Sequence, residues 1–219
     1  MVAIDGPSGA GKSTAGRALA KVLDYLFIDT GAMYRALGLK ALRRQIPLED
    51  AEALSELARV TQIELTQGGG CVSLDGEDVT HLVRTQEVGD AASRLSVHRG
   101  VRREMVARQR ELGQGGGVVL DGRDIGTAVF PRADVKFYLD ADPARRARRR
   151  ATELAAAGLV PDVAIVERQI HERDKNDMSR ADSPLVRAED AVYLDTTELS
   201  PDEVLGRMLA VVNERATRA

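Results

Sequence analysis

Residues 6–14 read GPSGAGKST and follow the short apolar run VAID at residues 2–5. They match the pattern G-x-x-x-x-G-K-[ST], and the apolar run before them and the helical pattern from Lys12 to Leu23 after them supply the expected strand and helix. Glycines let backbone N–H groups converge on phosphate oxygens, and a helix start adds partial positive charge. The alternative is a glycine-rich turn that only joins strand to helix. We predict that ATP or a close relative binds this loop, hereafter the P-loop, through Gly6, Pro7, Ser8, Gly9, Ala10, Gly11, Lys12, Ser13 and Thr14, with Lys12 reaching the β- and γ-phosphates and Ser13 holding Mg²⁺.

The composition of the chain argues against several classes of protein. Its 219 residues carry a formal net charge of −3, which gives no general attraction to nucleic acid or anionic membranes. The single cysteine, Cys71, cannot form an internal disulfide, and the three histidines show no zinc-ligand spacing. No apolar stretch is long enough to span a membrane, and the chain begins almost directly in a predicted strand, without a recognisable targeting segment. We expect a cytoplasmic monomer with neither nucleic-acid nor membrane partners.

Short apolar runs that end in a carboxylate recur along the chain, and helical patterns separate them. Runs that are apolar on both faces are typical of buried parallel strands. Alternating strands and helices predict an α/β fold with a doubly wound five-stranded parallel sheet, whose ligands bind beyond the carboxyl ends of the strands. The predicted strands are residues 2–5, 25–29, 118–121, 135–140 and 191–195.

One segment interrupts the alternation of strands and helices. Residues 63–80 alternate apolar and polar side chains around a GGG sequence and then a DGED turn, which predicts a small antiparallel β insertion. The insertion is too short for a core of its own. A helical pattern from Gln86 to Leu112 follows, and we expect it to be kinked or broken near residues 98–100.

Arginines follow two of the predicted strands. In DTGAMYR, residues 29–35, a helix start and Arg35 could bind a phosphate together, or the arginine could be a solvated residue on a capped helix. In DGRDIG, residues 121–126, Arg123 could donate hydrogen bonds to a phosphate while Asp124 accepts one from the ligand. Alternatively, the two residues form a local ion pair in a structural turn.

Two further clusters of charge lie later in the chain. In DPARRARRR, residues 142–150, Arg145 and Arg149, or Arg146 with Arg149 and Arg150, share a helix face. Packed like charges destabilise a helix, so we expect a bound polyanion to neutralise some of them; the alternative is a solvated or RNA-contacting basic face. The second cluster is ERDKNDMSR, residues 172–180, in which the residues of interest are Arg173, Asp177 and Arg180.

Such an excess of arginines suits phosphoryl transfer between two phosphates. The transferred group spreads negative charge over its oxygens, and donor and acceptor repel each other until cations bridge them. A phosphate acceptor, with a second pKa of about 6, is largely dianionic at neutral pH and needs no general base. The chain has no N-K-x-D guanine reader of the GTPase type, so the residues favour a small-molecule kinase.

The sequence resembles the cytidylate kinases of bacteria, within the nucleoside monophosphate kinase family. The resemblance rests on GPSGAGKST at 6–14, DTGAMYR at 29–35, RTQEV at 84–88, DGRDIGT at 121–127 and ERDKNDMSR at 172–180, and it covers essentially the whole chain. It implies a P-loop NTPase fold and transfer of the γ-phosphate of ATP to CMP or dCMP with Mg²⁺.

The resemblance also implies a division of the chain. The core would comprise residues 1–30, 114–145 and 181–219. Residues 31–113, with the β insertion, would form the CMP-binding region, and residues 146–180 would form an arginine-rich lid.

Individual roles follow from positions that match the family motifs. Ser93, Arg102 and Asp124 would read the cytosine, and Arg35 and Arg123 would hold the CMP phosphate with Thr30 and Tyr34 beside it. Arg173, Asp177 and Arg180 would contact the sugar or phosphates. Arg146, Arg149 and Arg150 match the family's lid arginines, and Lys12, Arg149, Arg173 and Arg180 would be catalytic.

The chemistry of the base agrees with this assignment. Cytosine offers an amino donor and two acceptors, which a carboxylate, an arginine and a hydroxyl complement, whereas uracil would place a carbonyl oxygen against Asp124. Many family members have glycine where Ser13 stands, and Ser13 restores the general P-loop hydroxyl. The remaining alternatives are a kinase for UMP or another small phosphate acceptor, and a P-loop module that binds RNA.

Overall fold

A five-stranded parallel sheet forms the centre of the molecule. The computed structural model describes residues 1–66, 70–156, 158 and 160–218. In chain order its elements are β1 (Val2–Asp5), α1 (Lys12–Leu23), β2 (Leu26–Asp29), α2 (Thr30–Arg43), α3 (Ala51–Val60), β3 (Ile63–Leu65), β4 (Val72–Leu74), β5 (Glu77–Asp78), α4 (Gln86–Leu95), α5 (Arg99–Gly113), β6 (Val118–Asp121), β7 (Val135–Asp140), α6 (Pro143–Ala156), α7 (Val163–Met178), β8 (Val192–Asp195) and α8 (Pro201–Arg218).

The sheet has the strand order β2-β6-β1-β7-β8, with every neighbouring pair parallel. Alternate residues of its strands enter two apolar cores: Ile4 and Phe137 belong to the core against α1 and α8, whereas Ala3 and Leu120 face the other side. Both faces of β1, β2, β6 and β7 are therefore buried, which explains their continuous apolar runs, whereas the edge strand β8 is partly exposed. The predicted α/β fold and all five parallel strands are confirmed.

Two strand boundaries differ from the predicted ones by one residue. The strand expected from residue 25 begins at Leu26, and the one expected from residue 191 begins at Val192. Helix α2 begins at Thr30 because the carboxylate of Asp29 caps it, accepting the Ala32 N–H at 2.8 Å.

A second packed region surrounds helix α2. One face of α2 packs on α3 and α5 through residues such as Leu37, Leu54 and Met105, and the other packs on β4 through Ala36 and Leu74. Strands β3, β4 and β5 form the predicted antiparallel insertion. Its predicted GGG turn lies partly on residues 67–69, outside the described residues.

The long helical stretch is broken as expected, because α4 ends at Leu95 and α5 starts at Arg99. Helices α6 and α7 pack on each other through a small cluster of Ala147, Leu154, Val166 and Ile170. None of the helices in the described ranges is long and apolar enough to cross a membrane.

Candidate active site

A cleft of about 630 Å³ lies where the P-loop and the ends of β2 and β6 meet α4, α5, α6 and α7. Sequence-predicted residues from both the donor and the acceptor sets line it. They are Ser8, Gly9, Gly11, Lys12, Ser13, Thr14, Thr30, Tyr34, Arg35, Ser93, Arg102, Arg123, Asp124, Arg173, Asp177 and Arg180. Gly6, Pro7, Ala10 and Arg149 lie outside this lining.

The P-loop leaves β1 through a backbone conformation that requires glycine. Gly6 has φ +144°, and a Cβ atom there would lie 1.9 Å from the carbonyl oxygen of Leu139 in β7. The loop then turns back so that Nζ of Lys12 donates to the carbonyl oxygen of Pro7 at 2.6 Å. Burial, together with the nearby Arg123 guanidinium, lowers the pKa of Lys12 to about 7. The ammonium therefore lies in a cationic environment that a phosphate would relieve.

Two oxygen-bearing side chains lie next to Lys12 in the cleft. Oγ of Ser13 donates to Oδ2 of Asp121 at 2.5 Å, and Oδ1 of Asp121 is buried without a hydrogen-bond partner among the described residues. Asp121 ends β6 opposite Asp29 of β2. Burial, and then the Asp29 carboxylate, raise the pKa of Asp121 to about 7. A bound cation would offset this unfavourable concentration of carboxylates.

These groups suit Mg²⁺, which prefers oxygen ligands and usually takes few of them from the protein. No cluster of three or more His, Cys, Asp or Glu residues able to hold a metal occurs in the described part of the chain. A magnesium ion here would thus be held by Ser13 and Asp121, with phosphate oxygens and water completing its shell. The sequence prediction named Ser13 but missed Asp121, although the recurrence of strands ending in carboxylates was a visible signal.

A buried ion pair forms the far wall of the cleft. Nη2 of Arg102, on α5, donates to Oδ2 of Asp124, and the side chains are 3% and 9% exposed. Nη1 of Arg102 also lies 3.5 Å from the hydroxyl of Tyr34. Burial raises the pKa of Asp124 and raises that of Tyr34 to about 12. With Ser93 on the same lining, the wall offers hydrogen-bonding groups that could recognise a polar planar ligand.

Asp177 of α7 holds two arginines. It accepts from Nε of Arg123 at 2.7 Å and from Nη2 of Arg180. Arg173, one helical turn earlier, has a buried Nε with no hydrogen-bond partner within the described ranges. Burial, and then the Arg123 charge, lower the pKa of Arg173 to about 10. Arg173 is therefore the cation here that most lacks a compensating anion.

The start of α2 lines the same cleft as these arginines. Oγ1 of Thr30 donates to the carbonyl oxygen of Asp121 at 2.6 Å, and Nη2 of Arg35 bonds Asp29 at 3.1 Å. Arg35 is thus held by a carboxylate of the adjacent strand, with its Nε unpaired in the described structure. Thr30 and Arg35 therefore lie at one cleft, with their polar groups held by residues of the neighbouring strands.

The arginines of α6 separate into different environments. Arg149 donates to Oγ1 and the carbonyl oxygen of Thr196, at 3.0 and 2.5 Å, and Arg145 donates to the carbonyl oxygen of Thr197. Arg150 lines the cleft and pairs with Glu153 at 3.1 Å. The repulsion expected among these charges is thus relieved partly within the protein.

Some lining residues carried no predicted role. Arg84 and Thr85 belong to the quoted RTQEV motif, whereas Ser96 lies outside every quoted motif. Oγ of Ser96 accepts from Arg180 at 2.9 Å and donates to the carbonyl oxygen of Ser93 at 2.8 Å. No sequence motif could predict a role for Ser96, because its contact with Arg180 joins residues 84 positions apart.

The chain is similar to several known proteins over nearly its whole length. The chain is 51% identical to a cytidylate kinase of Solibacter usitatus, over 99% of this chain and 94% of that protein. It is 50% identical to a cytidylate kinase of a Geobacillus species, over 98% and 96%. Among solved structures, a gluconokinase from Sinorhizobium meliloti has the same fold, with TM-score 0.53, 16% identity, and coverage of 99% of this chain and 93% of that one. Because the cytidylate kinase family model matches residues 2–214, the chain belongs to the cytidylate kinase family.

Proposed function

We propose that this protein transfers the γ-phosphate of ATP to CMP or dCMP, giving ADP and CDP or dCDP. The observation that carries the proposal is the cleft itself, in which the P-loop faces a wall that combines the Arg102–Asp124 pair with the arginines around Asp177. The P-loop suits a nucleoside triphosphate, and the opposite wall suits a nucleoside monophosphate.

On the donor side, P-loop N–H groups and Lys12 bind the β- and γ-phosphates of ATP. Phosphate oxygens favour the charged form of Lys12, which offsets the burial that lowers its pKa. Mg²⁺, when bound at Ser13 and Asp121, would neutralise charge on the phosphates.

On the acceptor side, Arg35 and Arg123 hold the CMP phosphate, with Thr30 alongside. Arg173 and Arg180 stabilise the charge on the group in transfer, and Arg149 of α6 is the third catalytic arginine. A phosphate dianion is already a competent nucleophile, so the site needs no general base. The work of these side chains is therefore positioning and charge stabilisation.

The base is recognised at the buried wall. Asp124 accepts from the amino group of cytosine, while Arg102 and Ser93 donate to its acceptors, and Tyr34 closes the pocket. Uracil would set a carbonyl oxygen against the Asp124 carboxylate, so UMP should be a poor substrate.

Closure of two regions over the core completes the proposed cycle. Residues 31–113 are the CMP-binding region and residues 146–180 are the lid, over a core of residues 1–30, 114–145 and 181–219. Closure around both nucleotides excludes water, which would otherwise hydrolyse ATP. The enzyme is expected to act as a cytoplasmic monomer.

A coupled assay of ADP release tests the proposal. The purified protein with ATP and Mg²⁺ is given CMP, dCMP, UMP or AMP, and CMP and dCMP should stimulate ADP release far more than the other two. A strong preference for AMP or UMP would overturn the cytidine assignment. Salt-sensitive RNA binding without any CMP-stimulated release would favour the RNA-binding alternative.

A further inference from the structure

A buried ion pair joins the lid helices to the P-loop. Nη1 of Arg146, on α6, donates to Oδ2 of Asp174, on α7, at 2.5 Å and to the carbonyl oxygen of Ser8 at 3.1 Å. Oδ1 of Asp174 accepts the backbone N–H of Ser8 at 3.4 Å. The Arg146 and Asp174 side chains are 6% and 11% exposed. Both partners therefore bind the same P-loop residue, one at its carbonyl oxygen and one at its N–H.

The loop is also in direct contact with the backbone of α6. Gly9 has φ +77°, and a Cβ atom there would lie 3.0 Å from Cβ of Arg146 and 3.2 Å from its carbonyl oxygen. Nε of Arg146 donates to the carbonyl oxygen of Ala141 at 2.9 Å, which fixes the guanidinium at the start of α6. The Arg146 guanidinium thus donates three hydrogen bonds to protein oxygens, one of them in the ion pair with Asp174.

Asp174 lies on α7 among the residues that hold the arginines of the cleft. It directly follows Arg173, and one turn later Asp177 holds Arg123 and Arg180. A contact that holds Asp174 against Ser8 therefore also fixes the distance between Arg173 and the P-loop. The chain of contacts runs from Ser8 through Asp174 to the residues placed around the two phosphates.

We propose that Arg146 and Asp174 are positioning residues, a clasp that holds α7 in register with the P-loop, and that Arg146 acts through Asp174 rather than by binding phosphate. This inference rests on the proposed function, because it concerns the rate of the same transfer. Removing one partner of a buried pair leaves the other charge uncompensated, and the helix should then shift. In a positioning mechanism, a displacement of about 1 Å costs on the order of 10²-fold in rate.

The test compares Asp174→Asn, Arg146→Gln and the double variant by steady-state kinetics with ATP and CMP. Each single variant should lose roughly 10- to 100-fold in kcat, while both KM values stay within about threefold. The double variant should be no slower than the slower single variant, because both substitutions break one interaction. Arg148→Gln and Lys175→Gln, exposed neighbours on α6 and α7, should keep the wild-type kcat.

Several results would overturn the clasp. A rise of about tenfold or more in the KM for ATP in Arg146→Gln, with Asp174→Asn unchanged, would identify Arg146 as a phosphate ligand. Additive losses in the double variant, or wild-type kcat in both single variants, would show that the pair does not position the site. Wild-type protein that shows no CMP-stimulated ADP release would instead refute the proposed function.

Two measurements keep the test independent of misfolding and of activity. Circular dichroism melts identify folded variants, and Asp174→Glu and Arg146→Lys, which retain the charges, replace any variant that does not fold; each should lose part of the wild-type kcat. Hydrogen exchange should increase in residues 6–14 and in α7 of folded variants, with the strands of the sheet unaffected. Unchanged exchange in both segments would contradict the clasp.

Discussion

The two sides of the cleft are built in different ways. The donor side is one continuous stretch, residues 6–14, whose glycines and helix start present backbone N–H groups together with one ammonium group. The acceptor wall joins Arg102 on α5, Asp124 after β6 and Asp177 on α7, which lie far apart in the chain. The donor side thus depends on local conformation, and the acceptor wall depends on tertiary packing.

Their charges differ as well. On the acceptor wall, carboxylates hold the arginines: Asp124 pairs with Arg102, and Asp177 pairs with Arg123 and Arg180. On the donor side, Lys12 has only a neutral carbonyl oxygen as its hydrogen-bond partner in the described structure. Substitutions on the donor side should therefore lower the rate of phosphoryl transfer at little cost in stability. Substitutions on the acceptor wall should weaken CMP binding and disturb the packing of the wall together.

The largest expected effect is that of Lys12→Met. Loss of the ammonium removes the side-chain charge at the transferred phosphate, so kcat should fall on the order of 10³-fold. The melting temperature should not decrease, because burial already disfavours the Lys12 charge. The coupled assay and a thermal melt measure both quantities, with Lys21→Met, at an exposed position of α1, as the matched control. Retention of most of the rate would refute the role given to the donor side.

The second prediction concerns Arg102→Met. The change leaves Asp124 buried without its partner and removes a donor to the base, so the affinity for CMP should fall by about 2–4 kcal/mol. The affinity for ATP should change by less than about threefold, since Arg102 lies on the opposite wall. Titration calorimetry with each nucleotide separately measures this. Arg103→Met, at the exposed neighbouring position, is the control, and equal losses for both nucleotides would contradict base reading.

The third prediction isolates specificity through Asp124→Asn. An amide presents an accepting oxygen and a donating NH₂ group, so it can accept from cytosine and can also donate to the carbonyl oxygen of uracil. The ratio of kcat/KM for CMP to kcat/KM for UMP should decrease by about tenfold, which is a loss of about 1.4 kcal/mol of discrimination. The two substrates in one preparation serve as internal references. A ratio identical to that of the wild type would remove Asp124 from base recognition.

The smallest expected effect is a proton taken up when ATP binds. In the free cleft the pKa of Lys12 is lowered to about 7, so most of the side chain is neutral at pH 8. Phosphate oxygens favour the ammonium form and raise that pKa, so binding of metal-free ATP at pH 8 should take up a fraction of one proton.

Calorimetry in buffers of different ionisation enthalpy measures this uptake at pH 8 and at pH 6, where Lys12 is already charged and the uptake should diminish. Lys12→Met should lack the Lys12 contribution at pH 8. Proton release at pH 8, or the same uptake in that variant, would contradict the lowered pKa.

Much of the fold could be predicted from the chain because its signals are local. Apolar runs ending in carboxylates located the five strands, and the break between α4 and α5 was expected near His98. The start of α2 at Thr30 depends on the Asp29 side chain, which caps the helix, and only the backbone conformation decides that contact.

The sequence by itself determined the P-loop, since glycine conformations, a lysine and a helix start within nine consecutive residues suffice to form a phosphate site. Its motifs also indicated the acceptor residues through the family resemblance. Only the tertiary structure decided which polar side chains pair: Asp121 with Ser13, Ser96 with Arg180, and Arg146 with Asp174. The reason is physical, because burial makes each ionic group depend on a partner whose position is set by packing between distant segments rather than by sequence spacing.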